Sequence, residues 1–127
     1  MRKMLLLSTF VAVLLAFYAS PVIAYPQEVS WYGYSPVTGA SDGSDGSVTA
    51  SGEVFNSQDD TCAAGFEYPF GTRLKITYEG RSVVCRVNDT GDYQGRWDLS
   101  YGAAKAIGLA DAADVGVVDV QVYSESK

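Results

Sequence analysis

The sequence predicts a mainly β domain, a small barrel carrying one or two short helices. Three observations lead there. Apolar and polar residues alternate with period two in several stretches, one stretch alone has helical spacing, and the connections are rich in Gly, Ser and Asp. No internal repeat of the solenoid or propeller kind runs along the 127 residues.

Residues 1–24 read as a secretion signal. Arg2 and Lys3 precede the apolar run 5–19, and Pro21-Val22-Ile23-Ala24 ends in the small residue that a signal peptidase accepts. The run is short for a bilayer span, and Tyr25 rather than a cysteine follows it, so no stable membrane anchor is expected after cleavage. An uncleaved signal anchor is the alternative. Residues 25–127 are then a single exported domain, secreted or periplasmic and associated with the cell wall, and expected to be a monomer.

Removing the signal takes two of the nine Lys and Arg residues and none of the fifteen Asp and Glu. Seven cations then face fifteen anions, a formal charge of −8. Such a domain repels phosphate backbones and anionic membranes, which argues against nucleic acid as a partner. Histidine is absent from the chain. Ser-His-Asp and Cys-His nucleophile systems and the usual zinc hydrolase sites are thereby excluded, since each needs an imidazole. Catalysis must run on carboxylates, tyrosines, lysines or backbone groups, and neither a metal nor another cofactor is expected. Cys62 and Cys85, in a chain routed to an oxidising compartment, are expected to form one disulfide.

Taken in order, residues 28–34 read as a first aromatic-rich strand bounded by Pro36, with Trp31 a core residue. Residues 38–47 form a loop that is flexible by composition; its repeated Asp-Gly resembles calcium loops but lacks the spaced carboxylates and the distal Glu. Residues 49–55 follow, with Phe55 as a core anchor and hydroxyls at Thr49 and Ser51 suited to closing turns. Leu74, Ile76 and Tyr78 alternate with polar neighbours, Glu79-Gly80 turns the chain, and 82–87 runs back, which is a β-hairpin. On the return strand Val83, Cys85 and Val87 share the core face, and Asp89 continues on that inward parity as the strand ends. A carboxylate there sits at a half-desolvated rim. Asp98 or Ser100 caps a short helix over 101–107 that stops at Gly108, with Leu99, Ala103 and Ile107 on its buried face. Residues 115–123 close the domain as a strand with Val118, Val120 and Val122 on one face.

Five short motifs stand in order along the mature chain. They are Trp31-Tyr-Gly33, Thr49-Ala-Ser-Gly-Glu53 with Phe55, Pro69-Phe-Gly-Thr72, Arg86-Val-Asn-Asp89 with Gly91, and Asp98-Leu-Ser100 with Ala103-Ala104. In these the chain resembles the rare lipoprotein A family. The resemblance implies a six-stranded double-psi β-barrel, a cell-wall glycan such as peptidoglycan as partner, and lytic cleavage of glycan strands lacking stem peptides. It makes Asp89 the catalytic acid; with Asp89 cleaving, Tyr32, Thr49, Ser51, Glu53, Arg86, Asp92, Tyr93 and Asp98 are expected along the substrate. The chemistry suits a chain without histidine, because one carboxylic acid can protonate the glycosidic oxygen and then take the proton of the sugar 6-hydroxyl as a 1,6-anhydro ring closes. Two departures stand out. Gly65 falls at or near a histidine that members typically carry, and Thr90 and Asp92 replace an Arg and a Pro beside the acid. A barrel that binds wall polysaccharide without cutting it, or loosens a matrix as expansins do, is therefore the second expectation, and a secreted scaffold whose 38–47 loop binds a protein is a third.

Overall fold

The computed structural model describes residues 23–91 and 94–124. The six strands are β1 Tyr25–Tyr32, β2 Thr61–Ala64, β3 Arg73–Tyr78, β4 Arg81–Thr90, β5 Trp97–Ser100 and β6 Val115–Val122, with one helix, α1 Tyr101–Ala106, among the described residues. They close into a barrel in the order β1-β5-β2-β4-β3-β6, and β6 returns to pair with β1. Two neighbouring pairs, β1 with β5 and β2 with β4, run parallel, and the rest are antiparallel.

The hairpin forms as its alternation requires. Leu74 and Ile76 are buried and face Cys85 and Val83 across the ladder. Glu79 and Gly80 both take positive φ, 47° and 82°, the backbone of a two-residue turn whose twist matches the strands. In β1 the odd positions point inward: Val29 is fully buried, and Tyr25 and Trp31 pack against the core. Trp31 is thus a core residue, edge-on to Tyr101, with its indole N–H on the Ala113 carbonyl at 3.0 Å. The even positions, Ser30 and Tyr32, fall on the opposite face.

Cys62 and Cys85 form the disulfide inside this core, tying β2 to β4 with Cα atoms 5.8 Å apart. Tyr101, Ala103, Ala104 and Ile107 pack under the barrel with Leu99, which belongs to β5 rather than to the helix. Ser100 is the N-cap: its Oγ accepts from the Ala103 N–H at 3.2 Å and the Thr61 N–H at 3.1 Å, and donates to the Asp59 carbonyl at 2.5 Å. Asp98 is a strand residue and caps nothing.

Several local expectations are corrected. β1 begins at Tyr25 and ends at Tyr32, because its pairing with β6 extends it backward. Val122 shares its face with the buried Val118 and Val120 but is itself exposed, since it is the last residue of its strand and the core ends before it. β2 was invisible as a strand because Thr61, Cys62, Ala63 and Ala64 are all buried, which leaves no alternation to read. The loop expected to be flexible is tied down by its own acids. Asp45 Oδ1 accepts from the Ser57 N–H and Oγ, both at 2.7 Å, and Asp42 accepts from the backbone of Gly33 and Ser44.

Candidate active site

Asp89 owes its position to one extra residue. Along β2 and β4 the register pairs Thr61 with Arg86 and Cys62 with Val87, then slips so that Ala63 meets Asp89. Asn88 is the unpaired residue of this bulge and is itself buried. The slip reverses the parity expected from sequence. Asp89 leaves the inward face of Val83, Cys85 and Val87 and joins Arg86 on the outer one. Across neighbouring strands Ala63 pairs with Asp89 on one side and Asp98 on the other, and Asp98 pairs with Ser30. Ser30, Asp98, Ala63 and Asp89 therefore form a row across the outer face, with Tyr32 two residues beyond Ser30.

The segment 49–53 folds over this face. Asp89 Oδ1 accepts from the Ala50 and Thr90 N–H groups, each at 3.0 Å, while Oδ2 receives the Tyr32 hydroxyl at 3.4 Å. Thr49 and Ser51 shape the segment from within: their hydroxyls lie 2.9 Å apart, Thr49 Oγ1 donates to the Glu53 carbonyl, and Ser51 Oγ accepts from the Glu53 N–H. Glu53 and Arg86 meet in a two-toothed ion pair, 2.5 and 2.7 Å. That pair holds the Glu53 carboxyl below its ordinary range and raises the Arg86 guanidinium, in each case chiefly through the hydrogen bonds between them.

Tyr32 is the other fixed member. Its ring stacks on Phe55 at 4.3 Å between centroids and 4° between planes. Burial first, and then the Asp89 and Asp98 carboxylates, push its phenol well above the usual tyrosine range, so it stays a donor. Asp98 receives a short hydrogen bond from Ser30 Oγ. Asp92 and Tyr93, expected along the substrate, lie outside the described residues, as do residues 1–22 of the signal.

A cleft of about 330 Å3 opens beside Asp89, lined by Gly65, Phe66, Tyr68, Phe70 and Thr90. Phe66 is 90% exposed and Phe70 49%, a pair of bare rings on its rim. A second cleft, about 420 Å3, is lined by Trp31, Tyr32, Asp42, Arg96 and Asp114, and Tyr32 links the two. The aromatic rim was not singled out from sequence; its signal was three aromatics within residues 66–70, beside the Pro-Phe-Gly motif. At Gly65 the space where a Cβ would stand is taken by Glu67, whose Cδ and Oε1 would each lie 2.8 Å from it. Among the described residues no group of three or more acids or cysteines is placed to hold a metal ion.

Comparison with known proteins places this geometry. A family model described as lytic transglycolase matches residues 27–122, from within β1 to the end of β6. The chain belongs to the lytic transglycolase family. Its rare lipoprotein A resemblance is borne out by relatives of that name. A Nostoc protein named probable endolytic peptidoglycan transglycosylase RlpA is 40% identical over 114 residues, covering 82% of this chain and 30% of its own. The endolytic peptidoglycan transglycosylase RlpA of Haemophilus influenzae is 37% identical over 87 residues, covering 65% of this chain and 30% of its own. The chain thus spans about a third of the length of these relatives. Among solved structures, the Streptomyces papain inhibitor superposes with a TM-score of 0.61 at 17% identity, over 82% of this chain and 98% of that one. An expansin of Clavibacter michiganensis superposes at 0.60 and 18%, over 83% and 53%. These likenesses are of fold, and they agree with the lytic transglycolase match in a mainly β, six-stranded double-psi barrel.

Proposed function

We propose that this lytic transglycolase domain is exported and, as a monomer, cleaves peptidoglycan glycan strands lacking stem peptides, with Asp89 as its acid and base. The observation that carries the reading is the setting of Asp89. Its Oδ1 is anchored by two backbone N–H groups, which leaves Oδ2, beside Tyr32 and the aromatic-rimmed cleft, as the oxygen to hold a proton. The acid gives that proton to the glycosidic oxygen, the C1–O bond breaks with its electrons on the leaving oxygen, and the carboxylate takes the 6-hydroxyl proton as O6 bonds to C1. Atoms balance without water, and the product carries a 1,6-anhydro end. Phe66 and Phe70 offer flat apolar faces to sugar rings.

The test is mass spectrometry of soluble products from purified denuded and peptide-bearing strands, with Asp89→Asn as control. Anhydro-ended fragments from the wild type alone are expected, and unchanged cleavage by the variant removes Asp89 from the mechanism.

A second reading is a glycan-binding barrel that does not cut. Gly65 favours it, because position 65 has no side chain of its own where the resemblance expects a histidine. Retention on glycan with no product of any kind would decide for it.

A further inference from the structure

We propose that Glu67, whose carboxylate sits over Gly65 at the edge of the Asp89 cleft, is a second substrate-contacting carboxylate that faces the positive charge developing on the sugar as the glycosidic bond breaks. The inference rests on the lytic reading above and adds to it a residue that neither the motifs nor the family match assigns.

The placement follows from register. Ala63 pairs with Asp89, so a side chain at position 65, two residues further along, emerges on the same outer face about 7 Å on, at twice the rise per strand residue. The N–H of Gly91 reaches the Ala64 carbonyl at 2.7 Å, so β2 and β4 remain side by side through this step. Gly65 sends out no side chain, and the Glu67 carboxylate folds back into the vacant place. A turn closed by the Tyr68 N–H on the Gly65 carbonyl, 3.1 Å, brings position 67 back over 65. Gly65 lines the cleft with Asp89, and Phe66 and Tyr68, on either side of Glu67 in sequence, line it too. Asp98, another acid on this face, is two strands from Asp89 and engaged by Ser30, and Glu53 is held by Arg86.

A carboxylate so placed has work to do in the reaction. Bond breaking leaves positive charge shared between C1 and the ring oxygen, and a carboxylate close to it stabilises that state more than the neutral ground state. Glu67 neither gains nor loses a proton in this step; the proton leaves and returns through Asp89.

Two substitutions test it. Glu67→Gln keeps size and removes charge, and is expected to lower kcat on the order of 10- to 100-fold with KM and melting temperature little changed. Gly65→Ala places a methyl where the carboxylate sits and is expected to lower kcat similarly. The double variant should be no worse than either single one, since both remove one interaction. Full kcat in Glu67→Gln, or additive losses in the double variant, overturns the assignment while leaving Asp89 as the acid. If the wild type binds glycan without cleaving it, the lytic reading and the assignment fall together.

Discussion

Tyr32 donates a long hydrogen bond, 3.4 Å, to Oδ2 of Asp89, from a ring that is itself stacked flat on Phe55. One oxygen of the acid is thereby held by backbone and the other is watched by a side chain that the aromatic stack keeps from turning.

Tyr32→Phe keeps that stack and removes the donor. We expect kcat to fall about five- to tenfold, the worth of one hydrogen bond of about 1 kcal/mol, with little change in glycan binding. Steady-state kinetics on denuded strands checks this. A fall in affinity with kcat intact would make Tyr32 a binding residue instead.

The same phenol makes stability sensitive to alkali. Burial first raises the pKa of Tyr32 and of Tyr25, and the Asp89 carboxylate and the Tyr68 hydroxyl respectively add to it. The unfolded chain releases these protons near pH 10 while the folded chain keeps them, so stability is full below about pH 10 and falls as pH rises above it. Urea unfolding between pH 8 and 11 should show this slope in the wild type and a flatter one in Tyr25→Phe/Tyr32→Phe. Parallel slopes would assign the alkaline loss to other groups.

The Glu53–Arg86 pair is partly exposed, with side chains 37% and 43% accessible, so its coupling in a double-mutant cycle should be modest, about 0.5–1 kcal/mol. Its larger effect should be on activity. Glu53 ends the segment whose Ala50 N–H anchors Asp89. Arg86→Ala is expected to lower kcat severalfold more than its loss of stability suggests, which kinetics and thermal melts on the same variant will compare.

The Cys62–Cys85 bond closes a loop with a sequence separation of 23. Replacing both cysteines by Ala should lower stability by about 3 kcal/mol, read from urea unfolding curves with midpoint and slope both fitted. A loss below about 1 kcal/mol would mean that packing alone holds β2 against β4.

Much of the barrel was legible in local patterns. The hairpin of β3 and β4, the Glu79-Gly80 turn, the inward valines of β6 before its last residue and the short helix each rest on periodicity or turn chemistry within a few residues. Alternation failed where it had no second face to contrast with, as in β2, and where a strand was only four residues long, as in β5.

The sequence by itself determined the disulfide partners and singled out Asp89 as the candidate acid, because cysteine content and motif are properties of the chain alone. It also offers that residue no imidazole as a neighbour. Only the tertiary structure decided which way Asp89 faces. A bulge at Asn88 is defined by pairing with a strand some 25 residues earlier in the chain, and one slipped residue turns everything after it to the other side of the sheet. The place of Glu67 was likewise decided in three dimensions: glycine leaves a space at position 65, and what fills it depends on how the following turn folds back.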